Sequence, residues 1–147
     1  MNESMKDIAG MDELYRDFIL DHYRNPRNAG TLEHPDASFE DVNPLCGDKI
    51  RMDVSVRDGA VADVRFRGRG CAISQASASL LTEDIKGKSL AEVERLNADD
   101  VVANLGINIS PARLKCALLG LKVLKHALAL EYQPTEEEKA YPDGQPS

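Results

Sequence analysis

Lys49-Ile-Arg-Met-Asp-Val-Ser-Val-Arg-Asp-Gly-Ala-Val-Ala-Asp-Val-Arg-Phe-Arg67 is the stretch that decides the fold. Ile50, Met52, Val54 and Val56 alternate with charged or hydroxyl residues. Ala62, Val64 and Phe66 then alternate with Asp63, Arg65 and Arg67, and a period of two marks half-buried strands. Between them Asp58-Gly59 suits a two-residue type I′ turn. Unbroken pairing across such a turn would set Val54 against Asp63 and Met52 against Arg65, mixing apolar and charged side chains on one face. A three-residue loop, Arg57-Asp58-Gly59 with Gly left-handed, instead pairs Ile50 with Phe66, Met52 with Val64, Val54 with Ala62 and Val56 with Ala60. The other face then sets Asp53 against Asp63, Arg51 against Arg65 and Lys49 against Arg67, with Arg69 added to the cations. Like charges opposed across strands are mildly destabilising. The patch reads either as a solvated face or as one that favours thiolates, an anionic metal–sulfur centre or an acidic partner surface.

Continued outward, the same register brings Cys46, in Asn43-Pro-Leu-Cys-Gly-Asp48, opposite Gly70 and next to Cys71, in Gly68-Arg-Gly-Cys71. Asp48 falls on the Cys46 side of its strand. The third cysteine, Cys116, sits early in a last helix that opens at Ser110-Pro111 and runs to about Glu131. In that helix Lys115, Lys122, Lys125 and His126 make a narrow polar stripe, and Cys116 lies on an apolar flank facing protein.

An amphipathic helix is expected from Asp12, with Leu14, Tyr15, Phe18, Ile19 and His22 at three- and four-residue spacing and a stop before Pro26. A short strand follows near Ala37 to Val42. After Cys71, Ser74 to Lys86 reads as a helix ended by Gly87. Ser89-Leu-Ala-Glu92 is a capping box, and Asn97 caps a further helix to about Leu105. The expected fold is α+β: a small antiparallel sheet of about three strands packed against helices, with an N-terminal helix and a long C-terminal one. Residues 1–10 are expected to fray, 11–132 to form one domain, and 133–147 to be an acidic disordered tail.

The chain has 147 residues, a net charge of −7, 42% hydrophobic residues and no Trp, which suits a single soluble domain and argues against nucleic acid as the main partner. No apolar run reaches the roughly 20 residues of a membrane span. The start has no basic and apolar leader, so the expected home is the cytoplasm. Three cysteines in a reducing compartment point to free thiols or metal ligands rather than a disulfide framework.

Three thiolates and a carboxylate suit tetrahedral Zn²⁺ or iron with sulfide. The spacing, 22 residues between Asp48 and Cys71 and 44 between Cys71 and Cys116, is no CxxC pattern. A metal or cluster site, unrelated buried thiols and a redox disulfide all remain open from it. Asp48 is a harder ligand than thiolate and holds a soft unit less firmly, which suits building and releasing; the plainer reading is a turn cap. His22, His34 and His126 read as packing, capping or solvent-facing residues, not ligands.

With Leu14-Tyr-Arg16, Asp21-His-Tyr-Arg-Asn-Pro-Arg-Asn28, Asn43-Pro-Leu-Cys-Gly-Asp48, Phe66-Arg-Gly-Arg-Gly-Cys-Ala-Ile-Ser74, Ala76-Ser-Ala-Ser79 and Pro111-Ala-Arg-Leu-Lys-Cys116, the chain resembles the iron–sulfur cluster assembly proteins of the IscU, SufU and NifU N-terminal family. The resemblance implies a site of Cys46, Asp48, Cys71 and Cys116 holding Zn²⁺ or a [2Fe–2S] cluster, with Cys116 as the persulfide acceptor. It implies a cysteine desulfurase as sulfur donor and apoproteins or carrier proteins as recipients, and either a scaffold or a zinc-dependent sulfurtransferase. A structural zinc domain for protein interactions is the third reading. Two departures stand out. Where the IscU branch has a Leu-Pro-Pro-Val-Lys segment read by an Hsp70 chaperone, and His before the third Cys, this chain has Ile109-Ser-Pro-Ala-Arg113 and Lys115. Lys115 looks SufU-like, yet the extra segment of about 20 residues typical of SufU between the last two cysteines has no room here.

Overall fold

The computed structural model describes residues 13–44 and 47–132. The N-terminal residues through Asp12, Cys46 and the acidic tail lie outside the described residues, as do the side chains of Leu14 and Tyr15. In chain order the elements are α1 (Glu13–Arg24), β1 (Ala37–Asn43), β2 (Asp48–Arg57), β3 (Ala60–Arg69), α2 (Ala72–Ile85), α3 (Leu90–Arg95), α4 (Ala98–Leu105) and α5 (Pro111–Ala127). The three strands form an antiparallel sheet in the order β1-β2-β3. This is the expected α+β fold.

The hairpin differs in register from the sequence reading. Asp58 and Gly59 both have positive φ, +53° and +74°, so the type I′ turn rejected on parity is the turn the chain makes. Parity is restored by a bulge. Ser55 pairs with Asp63 but Val56 pairs with Val61, leaving Ala62 as the extra residue on β3. Val61, Val64 and Phe66 all turn inward while Ala62 is exposed. Beyond the bulge Met52 faces Phe66, Val54 faces Val64 and Ile50 faces Gly68, and on the outer face Asp53 meets Arg65 rather than Asp63.

Helices α2 and α5 cover the inner face of the sheet. The main core between them contains Ile50, Met52, Val54, Phe66, Ala78, Leu81, Leu118, Leu121 and Leu124. Small residues set the spacing of the two helices. A Cβ on Gly120 would stand 3.4 Å from that of Ala78, and Ser77 Oγ donates to the Ala117 carbonyl at 2.6 Å. A second cluster joins Ile19 and Leu20 of α1 to Ala72, Ile73 and Ala76 of α2, Leu105 of α4 and Ala117 of α5, and both described cysteines belong to it. Phe18, expected in the packed stripe of α1, is 40% exposed, whereas Ile19 is buried as expected and Leu20 is buried beside it. His22 packs as expected, buried with Nδ1 2.8 Å from Ser79 Oγ.

The expected caps form at Ser89 and Asn97, both as capping boxes. α5 stops at Ala127 rather than near Glu131. The Leu130 N–H bonds the Lys125 carbonyl at 2.7 Å and the Ala129 N–H bonds that of His126 at 3.1 Å, a Schellman closure with Ala129 at φ +57° where Gly is usual. Lys125 also leaves the solvent stripe: it is 6% exposed and donates to the Glu94 carbonyl at 3.0 Å, at the C-terminal end of α3 where a cation is favoured.

Candidate metal centre

Three elements converge at one end of the sheet. Asp48 is the first residue of β2 and faces Asn43, the last of β1. Gly47, at φ +74°, donates to the Asn43 carbonyl at 2.7 Å and tightens that turn. Cys71 is the N-cap of α2, where its Sγ accepts from the Ser74 N–H at 3.4 Å. Cys116 lies in the second turn of α5. Continued from the pairing of Lys49 with Arg69, the register puts Asp48 level with Gly70; the sequence reading gave that place to Cys46, which lies outside the described residues.

The Cys71 N–H donates to Asp48 Oδ1 at 2.9 Å, and Cys71 Sγ lies 3.6 Å from Oδ2. Ligand atoms of Asp48, Cys71 and Cys116 all lie within 4.8 Å of one another, and all three residues are buried. Asn43 Nδ2 is 3.7 Å and Arg113 Nη1 3.8 Å from Cys116 Sγ. Gly70 is required here: its φ is +146°, and a side chain on it would run into the Asp48 carboxylate. The Cys71 thiol is held below its ordinary range, first by the hydrogen bond from Cys116 and then by the Ser74 N–H, against the opposing effects of burial and the Asp48 charge.

A buried carboxylate beside two thiols, one of them eased towards thiolate, is an unfavourable arrangement without a cation, since like charges in a dry site repel. Two soft sulfurs and one oxygen at this spacing fit Zn²⁺ or an iron–sulfur unit that takes one further ligand. Of the four residues singled out in the sequence, the structure brings Asp48, Cys71 and Cys116 together, while Cys46 lies outside the described residues. The sequence reading gave no role to Asn43, Ser74 or Arg113. Arg113 was within reach of it, because it precedes Cys116 by three residues and so shares its face of the helix. Asn43 became visible only through the pairing of β1 with β2.

The chain matches the model of the NifU-like N terminal domain over residues 14–139. It is 40% identical over 141 residues to the zinc-dependent sulfurtransferase SufU of Bacillus subtilis (strain 168), spanning 84% of this chain and 95% of that protein. It is 36% identical over 129 residues to the iron–sulfur cluster assembly scaffold protein IscU of Escherichia coli (strain K12), spanning 85% and 98%. Among solved structures, FiSufU from thermophilic Fervidobacterium islandicum AW-1 superposes with a TM-score of 0.69 at 30% identity, covering 81% of this chain and 99% of that one.

Proposed function

The chain belongs to the NifU-like N-terminal domain family, and from that premise we propose that it accepts sulfur from a cysteine desulfurase and assembles a transient [2Fe–2S] unit on Cys46, Asp48, Cys71 and Cys116 for delivery to apoproteins. The observation that supports this most is the buried convergence of Asp48, Cys71 and Cys116 within 4.8 Å. Its relatives include both a scaffold and a zinc-dependent sulfurtransferase, and at the level of the family both readings fit.

Sulfur arrives as a persulfide on the donor. A thiolate of this chain, assigned to Cys116, attacks the outer sulfur; the donor S–S bond breaks, the donor cysteine leaves as a thiolate, and Cys116 carries the new persulfide. The Arg113 guanidinium at 3.8 Å and the Asn43 amide at 3.7 Å suit an anionic sulfur there. Turning each transferred sulfur into bridging sulfide takes two electrons from an external reductant. The cluster is cargo, and Asp48, as the one oxygen donor, is the ligand most easily exchanged when it leaves.

The second reading is a sulfur relay organised by zinc, favoured by Lys115 before Cys116 and by the 40% identity to SufU. Zn²⁺ would be held by the same four residues and would keep their thiols deprotonated. Anaerobic incubation with iron, cysteine and a desulfurase, followed by optical spectra and metal analysis, separates the two. Cluster absorption with stoichiometric iron and sulfide is expected. No cluster, with zinc-dependent stimulation of desulfurase turnover, would assign the relay instead.

A further inference from the structure

We propose that Lys49, Arg67 and Arg69, on the outer face of the sheet at its cysteine end, dock an acidic surface of the protein that donates sulfur. This rests on the sulfur-accepting role argued above and adds to it the place where the donor is held.

The register sets Lys49 directly opposite Arg69 and Arg51 directly opposite Arg67. Side chains so placed are about 5 Å apart at Cβ, and like charges there cost stability. Acidic neighbours relieve β2: Lys49 Nζ is 3.4 Å from Glu40 and Arg51 Nε is 3.1 Å from the buried Asp53. On β3, Arg65 is held by Asp63 at 2.6 Å. Arg67 and Arg69 are exposed and form no ion pair or side-chain hydrogen bond among the described residues. Two unneutralised arginines thus stand side by side on a chain of net charge −7, although acidic side chains are plentiful elsewhere on it.

Their position gives the pair its meaning. Lys49 follows Asp48, and Arg69 precedes Cys71 by two residues, so the patch shares its backbone with two of the candidate ligands. Cys71 and Cys116 are 7% and 1% exposed, so a sulfur donor has to be held closely against this end of the sheet. A positive flank attracts an acidic surface and the anionic persulfide it presents, and steering of this kind raises association rates. The same potential retains an anionic metal–sulfur unit, so it assists arrival of sulfur more than departure of product. The patch is also narrow, which suits a protein surface better than the regular charge of a nucleic acid.

The double variant Arg67→Glu/Arg69→Glu, made in the full chain with its secondary structure checked, tests this against the desulfurase of the same organism. The expected result is a KM for this chain in desulfurase-driven sulfur transfer raised about tenfold or more, with kcat little changed and the salt dependence of association weakened. Cluster formation from iron and inorganic sulfide should match the unaltered protein. An unchanged KM would overturn the proposal. So would an equal defect with inorganic sulfide, which would place the arginines in the metal site, or a defect confined to transfer to an apoprotein, which would give the patch to the acceptor. Protection by inorganic phosphate of the unaltered chain alone, with no effect on desulfurase binding, would assign a small-anion site. Failure of the unaltered chain to take sulfur from the desulfurase would instead refute the sulfur-accepting role.

Discussion

The main-chain N–H of Cys71 donates to Oδ1 of Asp48 at 2.9 Å while the Cys71 sulfur lies 3.6 Å from Oδ2, so one carboxylate both fixes the start of α2 and stands as a candidate metal ligand beside a thiol. Asp48 is 1% exposed, so its removal leaves its hydrogen-bond partners in a buried space.

Asp48→Ala should therefore have two separable effects. It leaves the Cys71 N–H buried without its acceptor, costing roughly 1–3 kcal/mol, and it slows cluster release by removing the labile oxygen ligand. Asp48→Asn keeps an acceptor and should recover most of the stability. Thermal melts and transfer kinetics to an apoprotein measure the two; unchanged or faster release in Asp48→Ala contradicts the labile-ligand argument.

Gly70→Ala should damage the centre more than its size suggests. The φ of +146° disfavours any side chain, and the new methyl would occupy the space of the Asp48 carboxylate. A loss of more than about 1 kcal/mol is expected, with weakened zinc binding in a competition titration. Gly59→Ala, with φ +74° but open space around it, should share the backbone strain and leave metal binding intact.

Stability should fall on mild acidification because of His22. Burial lowers its pKa most, with the Arg27 charge adding, and Glu83 and Asp21 opposing. Ser79 Oγ, which accepts from the Arg27 N–H at 2.9 Å, lies 2.8 Å from His22 Nδ1. The unfolded chain thus binds the proton more readily than the folded one, and this contribution is complete above the unfolded value of about 6.5 and lost as pH falls below it. His22→Gln should flatten the denaturation midpoint across that window; an equally steep profile would show that His22 is not responsible.

Removal of zinc should leave the chain folded. The main core of sheet, α2 and α5 contains none of the candidate ligands. Chelation is expected to lower the melting temperature through lost binding while unfolding stays cooperative. Collapse to an unfolded chain would support a structural zinc domain, for which metal binding is folding energy.

The sequence carried the elements and most of the residues that meet at the candidate centre, and failed where tertiary context chose between local options. Alternation located β2 and β3, but strict parity discarded the Asp58-Gly59 turn because one extra residue, Ala62, was not reckoned with; Val61 and Val64 both being apolar was the sign of it. The error gave Cys46 the place level with Gly70 that Asp48 takes. Lys125 counted as polar and hence solvent-facing, although its place in the fold is set by the free carbonyls at the end of α3. The end of α5 was missed because Ala129 adopts a backbone conformation that Gly usually announces. Cys71 and Asp48 were legible because glycines and a strand end surrounded them, and the helical spacing of Arg113 to Cys116 was within reach, whereas Asn43 acts through a contact that only the β1–β2 pairing creates.

The most direct test is desulfurase-driven anaerobic assembly in Cys46→Ser, Cys71→Ser and Cys116→Ser, with bound iron and sulfide measured against the unaltered chain. The account predicts that each single change abolishes the stoichiometric cluster, because the three thiols and Asp48 serve one centre. A full complement of iron and sulfide in any one of the three variants would contradict it.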